Sequence, residues 1–133
     1  MAQVLGVGGI FFRSSDPAAL CGWYREWLGV QAAPPYGATF QPDSTPEGGL
    51  TVWSPFPRDT SYFGASGQSF MINLMVDDLR GALAQVRKGG ATVDDKIEDA
   101  DYGSFGWFTD PDGNRVELWQ PKASAPESTE PAP

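Results

Sequence analysis

Apolar residues recur along this chain in two rhythms, and the rhythms come twice in the same order. Residues 4–14 are mostly apolar through Gly9-Ile10-Phe11-Phe12 and then turn polar at Arg13-Ser14-Ser15-Asp16. A short apolar run interrupted by glycines predicts a strand with a close neighbour. Leu20, Trp23, Tyr24, Trp27 and Leu28 follow at helical spacing. Asp16 ahead of Pro17 predicts the start of that helix, because the carboxylate accepts from free first-turn amides and Pro suits the first helical position. Gly29 predicts its left-handed stop, so the helix spans about 17–28. Residues 31–48 carry Pro34, Pro35, Pro42 and Pro46 with several glycines, and predict short strands broken by loops. Leu50 to Ser54 predicts a strand.

The order then restarts. Phe70 to Val76 predicts a strand buried on both faces or nearly so. Asp77 or Asp78 caps a second helix near 79–88, with Leu79, Ala82, Leu83 and Val86 on one face and Gly89-Gly90 as the stop. Ala91 to Ile97 predicts a short strand, and Phe105 to Thr109 one rich in aromatics. Asp110-Pro111-Asp112-Gly113-Asn114 is a turn, since Pro presets one dihedral and Gly or Asn accepts a positive φ. Arg115 to Gln120 completes the hairpin. The final strands of the halves end alike, Trp53-Ser54-Pro55 and Trp119-Gln120-Pro121. The expectation is an α+β fold of two tandem modules, about 4–55 and 68–121, with a cavity between two half-shells. Pro55 to Gly67 would be the connection, with a turn of helix near Asp59. Residues 1–122 form one domain, and residues 123–133, rich in Ala, Ser, Pro, Glu and Thr, predict a disordered tail.

Composition narrows the function. A chain of 133 residues buries enough apolar surface to fold without staples. Its net charge of -8 argues against nucleic acid and against an anionic membrane surface. The run Val4 to Phe12 is too short to span a bilayer and lacks a basic flank, so it reads as a strand rather than a signal peptide. The single cysteine, Cys21, forms no internal disulfide, which fits a reducing cytoplasm; its helical place reads as packing rather than reactivity.

The hairpin Phe108-Thr109-Asp110-Pro111-Asp112-Gly113-Asn114-Arg115-Val116-Glu117-Leu118 resembles the closing hairpin of the vicinal oxygen chelate superfamily, the group of glyoxalases, bleomycin-resistance proteins and extradiol dioxygenases. The opening Phe12-Arg13-Ser14-Ser15-Asp16-Pro17 and the helix end Trp23-Tyr24-Arg25-Glu26-Trp27-Leu28-Gly29 are similar to that family too, and the resemblance covers about residues 4–121. It implies two βαβββ modules whose strands form an open, curled mixed sheet around a ligand cavity. It also implies a homodimer in many members, with a site built partly from both chains. In metal-using members, four cavity side chains, usually His, Glu or Gln, come from the first and last strands of each module. By the family's register those positions are Gly9, Thr51, Met71 and Glu117 here. Only Glu117 ligates a divalent cation well, the chain has no histidine, and a slip of register offers only Asn73 or Gln3. One carboxylate is a poor trap for zinc, nickel or iron. No metal and no other cofactor are therefore expected.

Glu117 has two readings: a cavity carboxylate that binds a ligand or acts as a base, or a strand residue paired with Arg13 or Arg115. Arg13 could itself hold an anionic group through its planar fork, or be a solvated strand end. Trp53 and Trp119 lie two residues beyond Thr51 and Glu117, which in a strand is the same face, and Trp107 could join them. Trp23 and Trp27 are four apart on a helix and read as core. A wall of Arg13, Thr51, Trp53, Met71, Asn73, Trp107, Glu117 and Trp119 suits a flat aromatic or amphipathic molecule, and the acidic charge favours a cation. The leading expectation is a cytoplasmic, metal-free, homodimeric binding protein for a small organic molecule. The alternatives are a metal-dependent lyase, isomerase or dioxygenase using Glu117, and a structural dimer whose cavity is filled by its own rings.

Overall fold

The computed structural model describes residues 2, 3, 5, 7–33, 37–65 and 67–122. Helix α1 spans Pro17–Leu28, capped by Asp16, whose side chain accepts from the Ala19 amide, and closed by Gly29 at φ 66°. Helix α2 spans Leu79–Lys88; Asp78 accepts from the Gly81 amide. The strands are β1 (Ile72–Met75), β2 (Thr92–Val93), β3 (Glu98–Ala100), β4 (Gly103–Thr109) and β5 (Arg115–Pro121). They form one open, mixed sheet in the order β1-β5-β4-β2, with β3 also paired to β4. The β1–β5 pair is parallel, with Asn73 opposite Glu117 and Met75 opposite Trp119. The β4–β5 hairpin is antiparallel and sets Trp107 opposite Glu117 and Phe105 opposite Trp119.

Period-two alternation divides the sheet into two faces. Phe108, Val116 and Leu118 point at α2 and bury against Leu79, Ala82, Leu83 and Val86. Each such side chain contributes about 1.5–3 kcal/mol when taken from water. Gly106 on β4 permits the close approach: a Cβ there would lie 2.7 Å from Leu83 Cδ1. Helix α1 packs on α2 through Trp23, whose indole Nε1 donates to the Gly89 carbonyl at 2.9 Å, and through Gln85 Nε2, which donates to the Trp27 carbonyl at 2.8 Å. Trp23 also stacks on Phe108 with centroids 5.9 Å apart, so this helix-borne tryptophan packs half-buried against the core. Cys21 is half-buried on the same helix and unpaired.

The first half departs from expectation. Among the described residues, neither 7–14 nor 50–54 carries a strand, and 31–48 contains only a bridge between Ala33 and Gly37 and a 3-10 turn at Pro42–Ser44. A strand exists only through its hydrogen-bonded neighbour, and these segments find none among the described residues. Leu5, Phe11, Val52 and Trp53 accordingly stand 95, 92, 60 and 80 % exposed. Strand β1 is half-buried rather than buried on both faces, and the helical turn expected near Asp59 is a single β-turn closed by the Thr60 amide on the Pro57 carbonyl. The tail expected at 123–133 lies outside the described residues.

Candidate functional site

The sheet face turned away from the helices is aromatic and centred on one carboxylate. Glu117 is only 6 % exposed. Its Oε1 accepts from Asn73 Nδ2 at 2.7 Å, and its Oε2 accepts from Trp107 Nε1 at 2.9 Å and from the Tyr62 hydroxyl. All three donors are neutral, so the charge is held by hydrogen bonds rather than by a cation. Arg115, two residues away on the same face, donates from Nη1 to Asp94 Oδ2 at 2.8 Å and sets its guanidinium 5.4 Å from the Trp107 ring. The reading of Glu117 as an arginine-paired strand residue does not hold: Arg115 is engaged by Asp94, and Arg13 is exposed.

Tyr62 comes from the connection between the halves. Arg115 Nε donates to the Tyr62 carbonyl at 3.3 Å, and Gln68 bridges to β5 by exchanging hydrogen bonds with the Arg115 main chain at 2.9 and 3.0 Å. Phe56 stacks on Tyr62 at 5.5 Å, and Tyr62 meets Trp107 edge to face at 5.9 Å. Further along, Trp119 stacks parallel to Phe105 at 5.9 Å, and its Nε1 donates to the Tyr102 carbonyl at 3.0 Å. Gly103, at φ 136°, admits this arrangement, since a Cβ there would lie 2.5 Å from the Trp119 indole nitrogen.

Of the residues singled out from the sequence, Asn73, Trp107 and Glu117 are hydrogen-bonded together, and Trp119 lies one step along the same face. Met71 is half-buried just before β1. Arg13, Thr51 and Trp53 are exposed. Tyr62 sits in a Pro-, Ser- and Gly-rich stretch without periodicity, where the only sequence signal is the neighbouring Phe56 and Phe63.

Burial, and then the hydrogen bond to Glu117, push the Tyr62 hydroxyl well above the ordinary tyrosine range. Burial, and then the negative charge of Asp110, do the same to Tyr24, whose hydroxyl donates to Asp110 Oδ2 at 2.9 Å. Both groups bind their proton more tightly folded than unfolded, so the stability they add is complete below about pH 10 and is lost as pH rises beyond it. Absorbance titration at 295 nm should show Tyr24 and Tyr62 ionising only together with loss of ellipticity. Their ionisation near pH 10 in the folded protein would contradict these environments.

The family's metal positions fail as a ligand set. Gly9 and Thr51 are exposed, Met71 offers a thioether, and the Glu117 oxygens are already engaged by three donors. Among the described residues no group of three or more His, Cys, Asp or Glu could hold a metal ion.

An open mixed sheet with helices on one face and an aromatic, carboxylate-centred surface on the other makes this an α+β protein, an architecture consistent with the vicinal oxygen chelate fold. The family model described as a glyoxalase-like domain matches residues 9–119, and the chain belongs to that family. Among solved structures it is similar to TnmS3, an antibiotic binding protein from Streptomyces sp. CB03234, at 25 % identity and TM-score 0.49 over 82 % of this chain and 89 % of that one. It is also similar to an integron cassette protein from the mobile metagenome of V. Cholerae, at 20 % identity and TM-score 0.45 over 80 % and 88 %. A structure titled only as a conserved domain protein aligns at 18 % identity and TM-score 0.47, over 81 % and 91 %. No curated protein matches the chain.

Proposed function

We propose that this chain is a metal-independent, cytoplasmic binding protein that acts as a homodimer and holds an aromatic or amphipathic small molecule on the aromatic sheet face. The observation that carries the reading is the state of Glu117. Its buried carboxylate already accepts from Tyr62, Asn73 and Trp107, three of its roughly four lone-pair sites, so it organises rings and presents little to a metal or a substrate proton. Ligation of a metal by both oxygens would have to displace those donors. The neighbouring rings supply what a flat ligand needs, apolar area with polar edges.

Self-association is supported by the exposed apolar runs of the first half: Phe11, Val52 and Trp53 stand 92, 60 and 80 % exposed, apolar area that a partner would cover. A second copy would supply neighbours for residues 7–12 and 50–54, and the outer edge of β1 has none among the described residues. No described helix is long and apolar enough to cross a membrane.

Native mass spectrometry with elemental analysis of the purified protein tests all three parts together. The expected result is a dimer without stoichiometric metal that retains or takes up an aromatic compound. Zinc, nickel or iron that survives dialysis and is lost in Glu117→Ala would replace this reading with a metal-dependent enzyme.

A further inference from the structure

Beside Tyr62, at the β3 end of the sheet, lies a cavity of about 250 Å³ lined by Tyr62, Glu98, Asp99, Ala100, Tyr102 and Phe105. Its lining shares no residue with those that the sequence singled out, although Trp119 stacks behind Phe105, and its chemistry is of one kind. Three aromatic rings line it, and the charged groups in its lining are both carboxylates. A ring face carries a negative quadrupole, and a carboxylate a full negative charge, so both attract a cation and neither favours an anion.

The walls are held before any ligand arrives. Tyr102 meets Phe105 edge to face at 5.7 Å and 71°, and Phe105 is backed by Trp119 with the ring planes 2° from parallel. Trp119 in turn bonds the Tyr102 carbonyl. On the other side, Tyr62 is fixed by Glu117, Phe56 and Trp107. A wall already in place spares the ligand the cost of ordering it. The acids keep capacity for a second cation. Glu98 Oε1 meets Lys96 Nζ at 3.0 Å, but the two side chains are 42 and 69 % exposed, and pairs so exposed bind weakly. Asp99 Oδ1 accepts from the neutral Ser104 hydroxyl at 2.6 Å, and no cation pairs with it among the described residues. The net charge of -8 further raises the local concentration of cations. At about 30 Å³ per water, the space equals roughly eight waters, the size of a ligand's charged head rather than of a large ring system.

We propose that this groove is an organic-cation subsite, in which a quaternary or protonated alkylammonium head sits among the rings of Tyr62, Tyr102 and Phe105 with Glu98 and Asp99 as counter-charge. This rests on the binding-protein reading and adds the charge and place of one part of the ligand.

The test compares choline with its neutral isostere 3,3-dimethylbutan-1-ol on the full chain, followed by amide chemical shifts. Choline should shift Glu98, Ala100, Tyr102 and Phe105 saturably and bind at least tenfold more tightly than the alcohol. Glu98→Gln should weaken choline severalfold, and added salt should weaken it further. Tyr102→Leu should weaken it about tenfold with folding preserved, because that side chain is 36 % exposed and lies outside the core. Equal affinity for the alcohol, shifts confined to another part of the sheet, or full affinity in Tyr102→Leu would overturn the subsite. A neutral aromatic probe, 1-naphthol, separates the two claims. Shifts at Trp107 with naphthol and none with choline would sink the cation subsite and leave the broader reading standing; no response to either probe would remove both.

Discussion

Glu117→Ala should destabilise the protein by about 3 kcal/mol and lower its melting temperature by roughly ten degrees. The cost comes less from the lost carboxylate than from what it leaves behind. Trp107 is 2 % exposed, and its indole N–H would lose its acceptor without gaining water. Asn73 and Tyr62 would lose theirs as well, and Tyr62 would lose the bond that fixes the connection onto the sheet. Glu117→Gln should fall between wild type and Ala, since one amide oxygen still accepts while the amide nitrogen faces donors. Urea unfolding at fixed protein concentration measures both. A Glu117→Ala protein as stable as wild type would mean that the carboxylate repays no more than its own desolvation, as some buried charges do.

Trp119→Ala should cost about 3–5 kcal/mol, the range of a large core ring removed. The side chain is 5 % exposed, lies flat on Phe105 and bonds the Tyr102 carbonyl, so its loss opens a cavity and frees a turn together. Trp53→Ala, at 80 % exposure, should change unfolding of the isolated chain by less than about 0.5 kcal/mol. Sedimentation velocity should instead show the Trp53 variant weakening self-association. The paired outcome is diagnostic: equal stability losses at the two tryptophans would place them in one common core, which the exposures deny.

The elements whose signals are local were legible in the sequence. Asp16-Pro17 and Asp78 start helices by capping free amides, and the Asp110 to Asn114 turn closes the hairpin by its own dihedral preferences. Alternation then puts Glu117 and Trp119 on the face of Trp107, because β4 and β5 are joined by that short turn. What was not legible depends on partners. The apolar runs at 4–14 and 50–54 state that a segment needs covering without stating by what, and among the described residues Phe11, Val52 and Trp53 are left exposed. Arg115 shows the same gap at one residue: its spacing from Glu117 suggests a pair, yet Asp94, brought close by β2 and β4, takes it. Tyr62 reaches Glu117 across 55 positions, a distance over which no periodic pattern carries information.

Helix α1 has its anchors almost wholly in later sequence. Trp23 bonds Gly89, Tyr24 bonds Asp110 and Ser15 bonds Asp112, across 66, 86 and 97 positions. A ribosome adds roughly 5–20 residues per second, so Tyr24 leaves the peptidyl-transferase centre on the order of ten seconds before Asp110 has been made. Through that interval the helix presents Leu20, Trp23 and Tyr24 with nothing to dock on, and a helix of 12 residues is marginal alone. Nascent chains of this protein are therefore expected to expose an aromatic stripe until the last hairpin emerges, and slow decoding between codons 90 and 110 would lengthen the period in which chaperones or misassembly compete for it.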